Sequence, residues 1–375
     1  MSEKNLSIAI IGTKGYPFVY SGYETFVAEL ANQLKDKFKI HIYCQRALFK
    51  TRERKINGIY LHYIPSVQNK YLAHITHGLL CTIHALFKKF DIVFYLNVCY
   101  GPFGYICKWF RISALINTDG LEWLRPEVKK LGSTYYRWAA SQATKAFNII
   151  VSDSKAIANI YKKEFNIDTT VIAYGAHICY SSNTQRLKKY KLERDAYYLV
   201  VGRLFPSNNI HHIVKAFDRS HLSKKLVIVG RQFFPDRYEK EMKAYQSDRI
   251  IFTDFIEDQS LLSELYANTY CYIHGHEFGG TNPSLLNALA HGCCVIALDT
   301  PFNREVLLDK NYGLYFNKEP DSLIRMIRWI DRNPETVHQY RQKSRERILN
   351  QYTWEKIAAQ YNQLFKSMFL NSAVP

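Results

Sequence analysis

Short runs of β-branched and aromatic residues recur along this chain, each followed by a helical or loop segment, and the series starts twice. LSIAIIG (6–12), FKIHIYC (38–44), DIVFYLN (91–97), ISALINT (112–118) and NIIVSDS (148–154) form the first series. Residues 24–35 place Phe26, Val27, Leu30 and Leu34 on one helical face. Strand, helix, strand is the repeating unit of a parallel, doubly wound sheet. After the polar stretch 181–195 the rhythm restarts with YYLVVGR (197–203), KLVIVG (225–230), RIIFTDF (249–255), CYIHG (271–275) and CCVIALD (293–299). The pattern predicts an α/β protein of two Rossmann-like domains facing across a cleft, with a linker near 175–195. Expected boundaries are 1–180 and 181–350. A helical pattern over 336–369 is interrupted around Tyr352 and Thr353, so 351–375 is expected as a helix packing back towards the first domain. Ligands of open α/β sheets lie beyond the carboxyl ends of the strands, so the chemistry belongs in the loops after strands.

The 375 residues suffice for two domains, and 47% hydrophobic residues argue against wholesale disorder. The net charge is +17, of which residues 1–180 carry +11. That excess suits an anionic partner such as phospholipid, nucleic acid or a diphosphate, and equally a basic surface with no partner. The eight cysteines form no C-x-x-C pair and often sit in apolar runs. Reduced, buried thiols of a cytosolic protein are expected, with no metal site. MSEKNLSIAIIGTKG runs straight into a strand without signal-peptide anatomy. Residues 71–87 carry three histidines, and 92–110 are broken by Asn97, Gly101, Pro102 and Gly104. Neither offers roughly 18 uninterrupted apolar residues, so no transmembrane helix is expected, while peripheral attachment stays open.

Six segments carry candidate chemistry. In GTKGYPFVYSGYETF (12–26), Gly12, Gly15 and Gly22 bracket the first strand–helix loop and permit close backbone approach to a ligand; an ordinary glycine-rich turn reads the same. In NTDGLEWLRPE (117–127), Asp119, Glu122, Trp123 and Arg125 combine acids, an aromatic face and a cation suited to a sugar. The bland reading makes Asp119 a helix cap and Trp123 a core residue. In VSDSKAIANIY (151–161), Asp153 or Ser154 reads as an N-cap, where a general base would also reach the site. VIAYGA (171–176) brings Tyr174 to a strand end. In VVGRLFPSNNI (200–210), Arg203 follows a strand-terminating glycine and can bind a diphosphate bidentately, or form a surface salt bridge. In HGHEFGGTNPSLLNALAHGCCVIALD (274–299), Gly279, Gly280, Thr281 and Asn282 precede Pro283 at a predicted helix start, an anion site through free N–H groups and the helix dipole; a well-capped helix without ligand is the alternative.

With these segments in order, the chain resembles the retaining glycosyltransferases of family 4, and more narrowly the bacterial β-1,4-rhamnosyltransferases of capsular and rhamnose-rich polysaccharide synthesis. The resemblance spans nearly the whole chain. It is carried by IAIIGTKGYPFVYSGYETFVAEL, INTDGLEWLRPE, SDSKAIANIY, VIAYGA, YYLVVGRLFPSNNI, GHEFGGTNPSLLNALAHG and TPFNREVL. It implies a GT-B fold, a dTDP-L-rhamnose donor, no metal or other cofactor, and an acceptor sugar on undecaprenyl diphosphate at the inner face of the cell membrane. Carried across by motif, Asp153, Tyr174 and Asp119 act at the reacting sugar. Gly15, Gly22, Arg203, Asn208, Gly279, Gly280, Thr281, Asn282, Asn287 and Glu305 serve the donor. Tyr23, Glu24, Glu122, Trp123 and Arg125 serve the acceptor. The sequence departs from the family at Asn287, where the second of two glutamates ordinarily stands, and at Asn208, where a phosphate-binding lysine does. Glu277, ten residues before Asn287, does not fit the spacing of the first glutamate. Rival readings are a UDP-hexose donor on the same fold and a non-catalytic subunit binding polysaccharide or lipid diphosphate. Nucleic acid is not expected as a partner, since no basic run is interleaved with aromatics in a recognised module.

Overall fold

The computed structural model describes residues 6–17, 22–67, 69, 72–181, 183–232, 236–319 and 321–372. Part of the first glycine loop (18–21) and Tyr71 therefore lie outside the described residues. Two compact units are present. One comprises 1–124, 128–174 and 354–375; the other comprises 125–127 and 175–353.

The first unit is built on an eight-stranded sheet: β1 (Ser7–Ile11), β2 (Lys39–Gln45), β3 (Lys55–Ile56), β4 (Ile59–Ile64), β5 (Ile92–Leu96), β6 (Ser113–Asn117), β7 (Ile149–Ser152) and β8 (Thr170–Val171). Their spatial order is β3-β4-β2-β1-β5-β6-β7-β8, parallel except for the β3–β4 ribbon. Ile8 pairs with Ile40 on one side and Ile92 on the other. Strand order reverses at β1/β5, the point where a doubly wound sheet opens a crevice for ligands. β5 is buried along its whole length, which is why it reads as a continuous apolar run. β3 and β4 lay outside the sequence expectation. β4 (IYLHYI) is half-exposed and lies next to the short edge strand β3, so it lacks that apolar signal.

The helix Trp354–Ser372 belongs to this first unit. Trp354, Ile357, Ala358, Tyr361, Phe365 and Met368 recur at helical spacing and are all buried. Tyr361 meets Phe26 and Phe94 at centroid distances of 5.6 and 5.5 Å, and Phe365 meets Phe38 edge-on at 5.8 Å. Aromatic burial of this kind contributes about 1.5–3 kcal/mol per side chain before entropy is counted. The break expected near Tyr352 is a single π-helical turn, Ile348–Tyr352, after the helix Pro334–Arg347.

The second unit has six parallel strands: β9 (Tyr197–Val201), β10 (Lys225–Val229), β11 (Ile250–Phe252), β12 (Cys271–His274), β13 (Val295–Leu298) and β14 (Leu314–Phe316). Their order, β11-β10-β9-β12-β13-β14, is that of the dinucleotide-binding fold, with its reversal at β9/β12. The helix Ser322–Arg332 closes one face, burying Leu323, Ile324, Ile327 and Ile330 against Tyr198, Phe217 and Phe316. All eight cysteines are free thiols, and all but Cys179 are buried. No described helix is long and apolar enough to cross a membrane.

Candidate active site

In the first unit, polar side chains gather beyond the carboxyl ends of β1, β5, β6 and β7. Asn97, directly after β5, has φ 94°, a strained value that asparagine tolerates better than most residues. Its Oδ1 accepts from Cys99 N at 2.9 Å, while its Nδ2 donates to Glu122 Oε1 and to the Tyr23 hydroxyl. Gly120 lets Glu122 fold back in this way, since a Cβ there would collide with the Glu122 carboxylate. The Tyr23 hydroxyl in turn donates to the Asp119 carbonyl at 2.9 Å. The Asp119 carboxylate accepts from the Tyr174 hydroxyl at 2.7 Å. Tyr174 is buried, and burial, followed by the charges of Asp119 and Asp153, holds its phenol well above its ordinary pKa. It is therefore a neutral donor that fixes Asp119.

Asp153 is fully buried after β7, and its charge also acts on Tyr361. Of the two residues considered for the N-cap, Ser154 is the cap: its Oγ accepts from Ile157 N at 3.2 Å. Glu24 is buried and its carboxylate accepts from Lys14 N at 3.0 Å, tying the first helix to the loop after β1. Gly12 and Gly15 both have positive φ, and Gly15 lies against the Phe49 ring. Gly22 opens the helix Gly22–Leu34. Trp123 is packed in the core, edge-on to Tyr161 and Phe165 at 6.1 and 6.3 Å, rather than presented as a platform. Arg125 groups with the second unit, 4.0 Å from Glu127, whose Oε1 accepts a 2.6 Å hydrogen bond from Ser207.

In the second unit the polar groups lie after β9 and β12. Arg203 is exposed and stacks its guanidinium over Phe205 at 4.8 Å. Asn208 is buried. Its Nδ2 donates to the Arg203 carbonyl at 2.7 Å, so it fastens the loop that presents Arg203. Asn209 ties the same loop to β12 through the Gly275 carbonyl at 2.9 Å. His276, to which the sequence reading gave no role, stacks on His274 at 4.4 Å with the rings 9° apart. Burial, then His274 and the cations Arg125 and Arg203, keep His276 neutral. Glycine at 202 makes room for that ring, because a Cβ there would stand 2.7 Å from His276 Cε1. Asn303 Nδ2 donates to the His276 carbonyl at 3.1 Å and so holds the start of this loop. Glu277 pairs with Lys318 at 2.6 Å.

Gly279, with φ 117°, Gly280 and Thr281 lead into the helix Pro283–Ala290. The first N–H groups of that helix are already met. Ser284 N donates to Asn282 Oδ1 at 3.0 Å, and Leu285 and Leu286 donate to the Asn282 carbonyl. What this terminus offers an anion is therefore its dipole and the preceding loop, not free first-turn amides. Asn287 is half-buried on the same helix, and its carbonyl accepts from His291. Glu305 is half-buried on the helix Pro301–Leu307, and its carbonyl accepts from Arg347.

Comparison with known proteins agrees with this architecture. Residues 182–347 match the family described as glycosyl transferases group 1, and residues 5–177 match a domain of unknown function, DUF1972. An uncharacterized glycosyltransferase of Methanocaldococcus jannaschii is 25% identical over 74% of this chain and 76% of its own. The O-antigen chain mannosyltransferase RfbU of Salmonella typhimurium is 24% identical over 55% of this chain and 57% of its own. Among solved structures, sucrose-phosphate synthase from Thermosynechococcus elongatus superposes with a TM-score of 0.84 at 15% identity, covering 98% of this chain and all of its own. Anabaena HepE in complex with UDP-glucose superposes at 0.78 and 15% identity, covering 96% and 100%. The two units thus have the Rossmann-like folds of GT-B glycosyltransferases. Residues 182–347, within the second unit, match the group 1 glycosyl transferases, and the chain as a whole is similar to glycosyltransferases at 24–25% identity.

Proposed function

We propose that this chain transfers L-rhamnose from dTDP-L-rhamnose, with retention, to a hydroxyl of a sugar carried on undecaprenyl diphosphate at the cytoplasmic face of a bacterial membrane. The observation that carries the donor half is the built loop after β9. Asn208 and Asn209 are both buried and both spent on fastening the backbone that holds exposed Arg203. A guanidinium presented on a fixed loop, with the dipole of Pro283–Ala290 in the same unit, suits a diphosphate leaving group whose charge grows in the transition state. In the transfer, the bond from the anomeric carbon to the phosphate oxygen breaks as the bond to the acceptor oxygen forms. The acceptor's proton passes to the departing phosphate, so neither a protein nucleophile nor a metal is required. Asp153 orients the acceptor hydroxyl, and the Asp119–Tyr174 pair fixes the floor beside it. Tyr23, Glu24 and Glu122 shape the acceptor side of the first unit. The rhamnose assignment rests on the motif resemblance.

A second reading, a UDP-hexose donor, is favoured by the likeness to HepE, which was solved with UDP and with UDP-glucose. Thermal-shift measurement with dTDP, UDP and GDP separates the two, because a ligand that binds only the folded state raises the midpoint. The largest shift is expected with dTDP. A larger shift with UDP replaces the rhamnose donor and leaves the fold and reaction class untouched.

A further inference from the structure

The helix Ala73–Lys88 is apolar on two faces. His77, Gly78, Cys81, Thr82 and Ala85 turn inward. Leu72, Leu79, Leu80, Ile83 and Phe87 stand on the opposite side and are exposed, Phe87 by 82%. A surface helix ordinarily puts charged residues there; this one has none between Ala73 and Phe87. Beside its end lies the end of the helix Gly104–Trp109, where Trp109 is 85% and Phe110 60% exposed. Leu86 and Lys89 from one helix end, and Phe110 and Arg111 from the other, line a common recess of about 400 Å³.

The charged residues of these two segments have one sign. Lys88, Lys89, Lys108 and Arg111 are exposed, and no acidic residue occurs in 72–90 or 104–112. The nearest carboxylate in the sequence, Asp91, also lines the recess, but it accepts from Ser7 N and Oγ at 2.7 Å each and is engaged inward. An apolar patch with a cationic rim matches the boundary of an anionic bilayer, where rings enter the headgroup layer and cations meet phosphate. A second copy of the chain is a poorer occupant. A two-fold interface would set the same four cations against themselves.

We propose that the first unit docks on anionic lipid through this patch, with Phe87, Trp109 and Phe110 inserted and Lys88, Lys89, Lys108 and Arg111 on phosphates. The purpose of the docking rests on the lipid-linked acceptor proposed above; the patch itself is read from the side chains.

The test is co-sedimentation of the full chain with phosphatidylcholine vesicles, with and without phosphatidylglycerol, at low and high salt. Binding should require the anionic lipid and fall with salt. Changing all four cations to Gln should weaken it on the order of 100-fold, at roughly fivefold per charge less screening. Phe87→Ala with Trp109→Ala should also release the protein, and exposed side chains can be removed without unfolding it. Circular dichroism and the nucleotide-induced thermal shift of each variant, matching the parent, show that the fold survives. Parent protein that ignores both vesicle types, binding unchanged in both variants, or a Trp109-dependent dimer without vesicle binding would each overturn the proposal. Vesicle binding without any nucleotide shift would sink the donor reading and leave the docking surface standing.

Discussion

The Tyr174 hydroxyl donates to Asp119 Oδ2 at 2.7 Å across 55 residues of sequence, joining the loop after β6 to the chain after β8. Tyr174→Phe keeps the ring contact with Phe26 at 4.9 Å and removes only the donor. Leaving the carboxylate short of a partner should cost about 1–3 kcal/mol. Urea denaturation should show that loss, while nucleotide affinity, which we propose belongs to the second unit, should not change. An unaltered midpoint would mean that the bond contributes nothing to the fold.

Asp153→Asn separates capping from chemistry. Ser154 caps the helix, and an asparagine side-chain oxygen accepts from helix-start amides about as well as aspartate does. Folding should persist, and transfer should fall by roughly 10²–10⁴-fold if Asp153 assists the acceptor hydroxyl. Near-normal turnover by the folded variant would remove it from the catalytic set.

Arg203→Ala should weaken dTDP binding more than thymidine binding. A charged bidentate contact contributes roughly 1.5–3 kcal/mol, and only the diphosphate can make it. Calorimetry on the two ligands decides. Equal losses would show that the guanidinium does not touch phosphate.

Acid stability carries a signature of the buried imidazoles. Burial lowers His274 to about 3 and His77 to about 4, from an ordinary value of 6.5. The unfolded chain therefore binds these protons before the folded one does. The stability involved is fully present above about pH 6.5 and is lost as pH falls from there towards the folded values, at up to about 1.4 kcal/mol per pH unit for each group. Urea midpoints should begin to decline just below about pH 6.5. A flat profile down to the carboxylate range would show that these rings are already hydrated.

Much of the architecture is written in local patterns. The strand runs restart after residue 195, and the last helical pattern breaks at Tyr352, because those signals are short-range periodicities. The half-exposed β4 and the three-residue β14 give weak signals of that kind. The site was legible as places rather than roles. Asn208 reads as a missing cation, yet its amide holds the Arg203 carbonyl, a contact set by how the loop closes on itself. Asn282 reads as part of an anion cradle, yet it consumes the first amides of its own helix. His276 carries no sequence signal, because the space over Gly202 that it fills exists only once β9 and β12 pair. Trp123 shows the opposite error: residue type suggested a platform, and packing against Tyr161 and Phe165 put it in the core.

Transfer of a sugar from a nucleoside diphosphate to a lipid-linked acceptor can be read directly by mass spectrometry of reaction products. Purified chain is incubated with dTDP-L-rhamnose, UDP-glucose or UDP-N-acetylglucosamine and undecaprenyl-diphosphate-linked sugars. A lipid product heavier by one deoxyhexose, with release of dTDP, is expected from dTDP-L-rhamnose and should be lost in Arg203→Ala. A hexose-shifted product from a UDP donor would correct the donor alone. No lipid product from any donor, by a folded chain that binds nucleotide, would rule out sugar transfer to a lipid-linked acceptor.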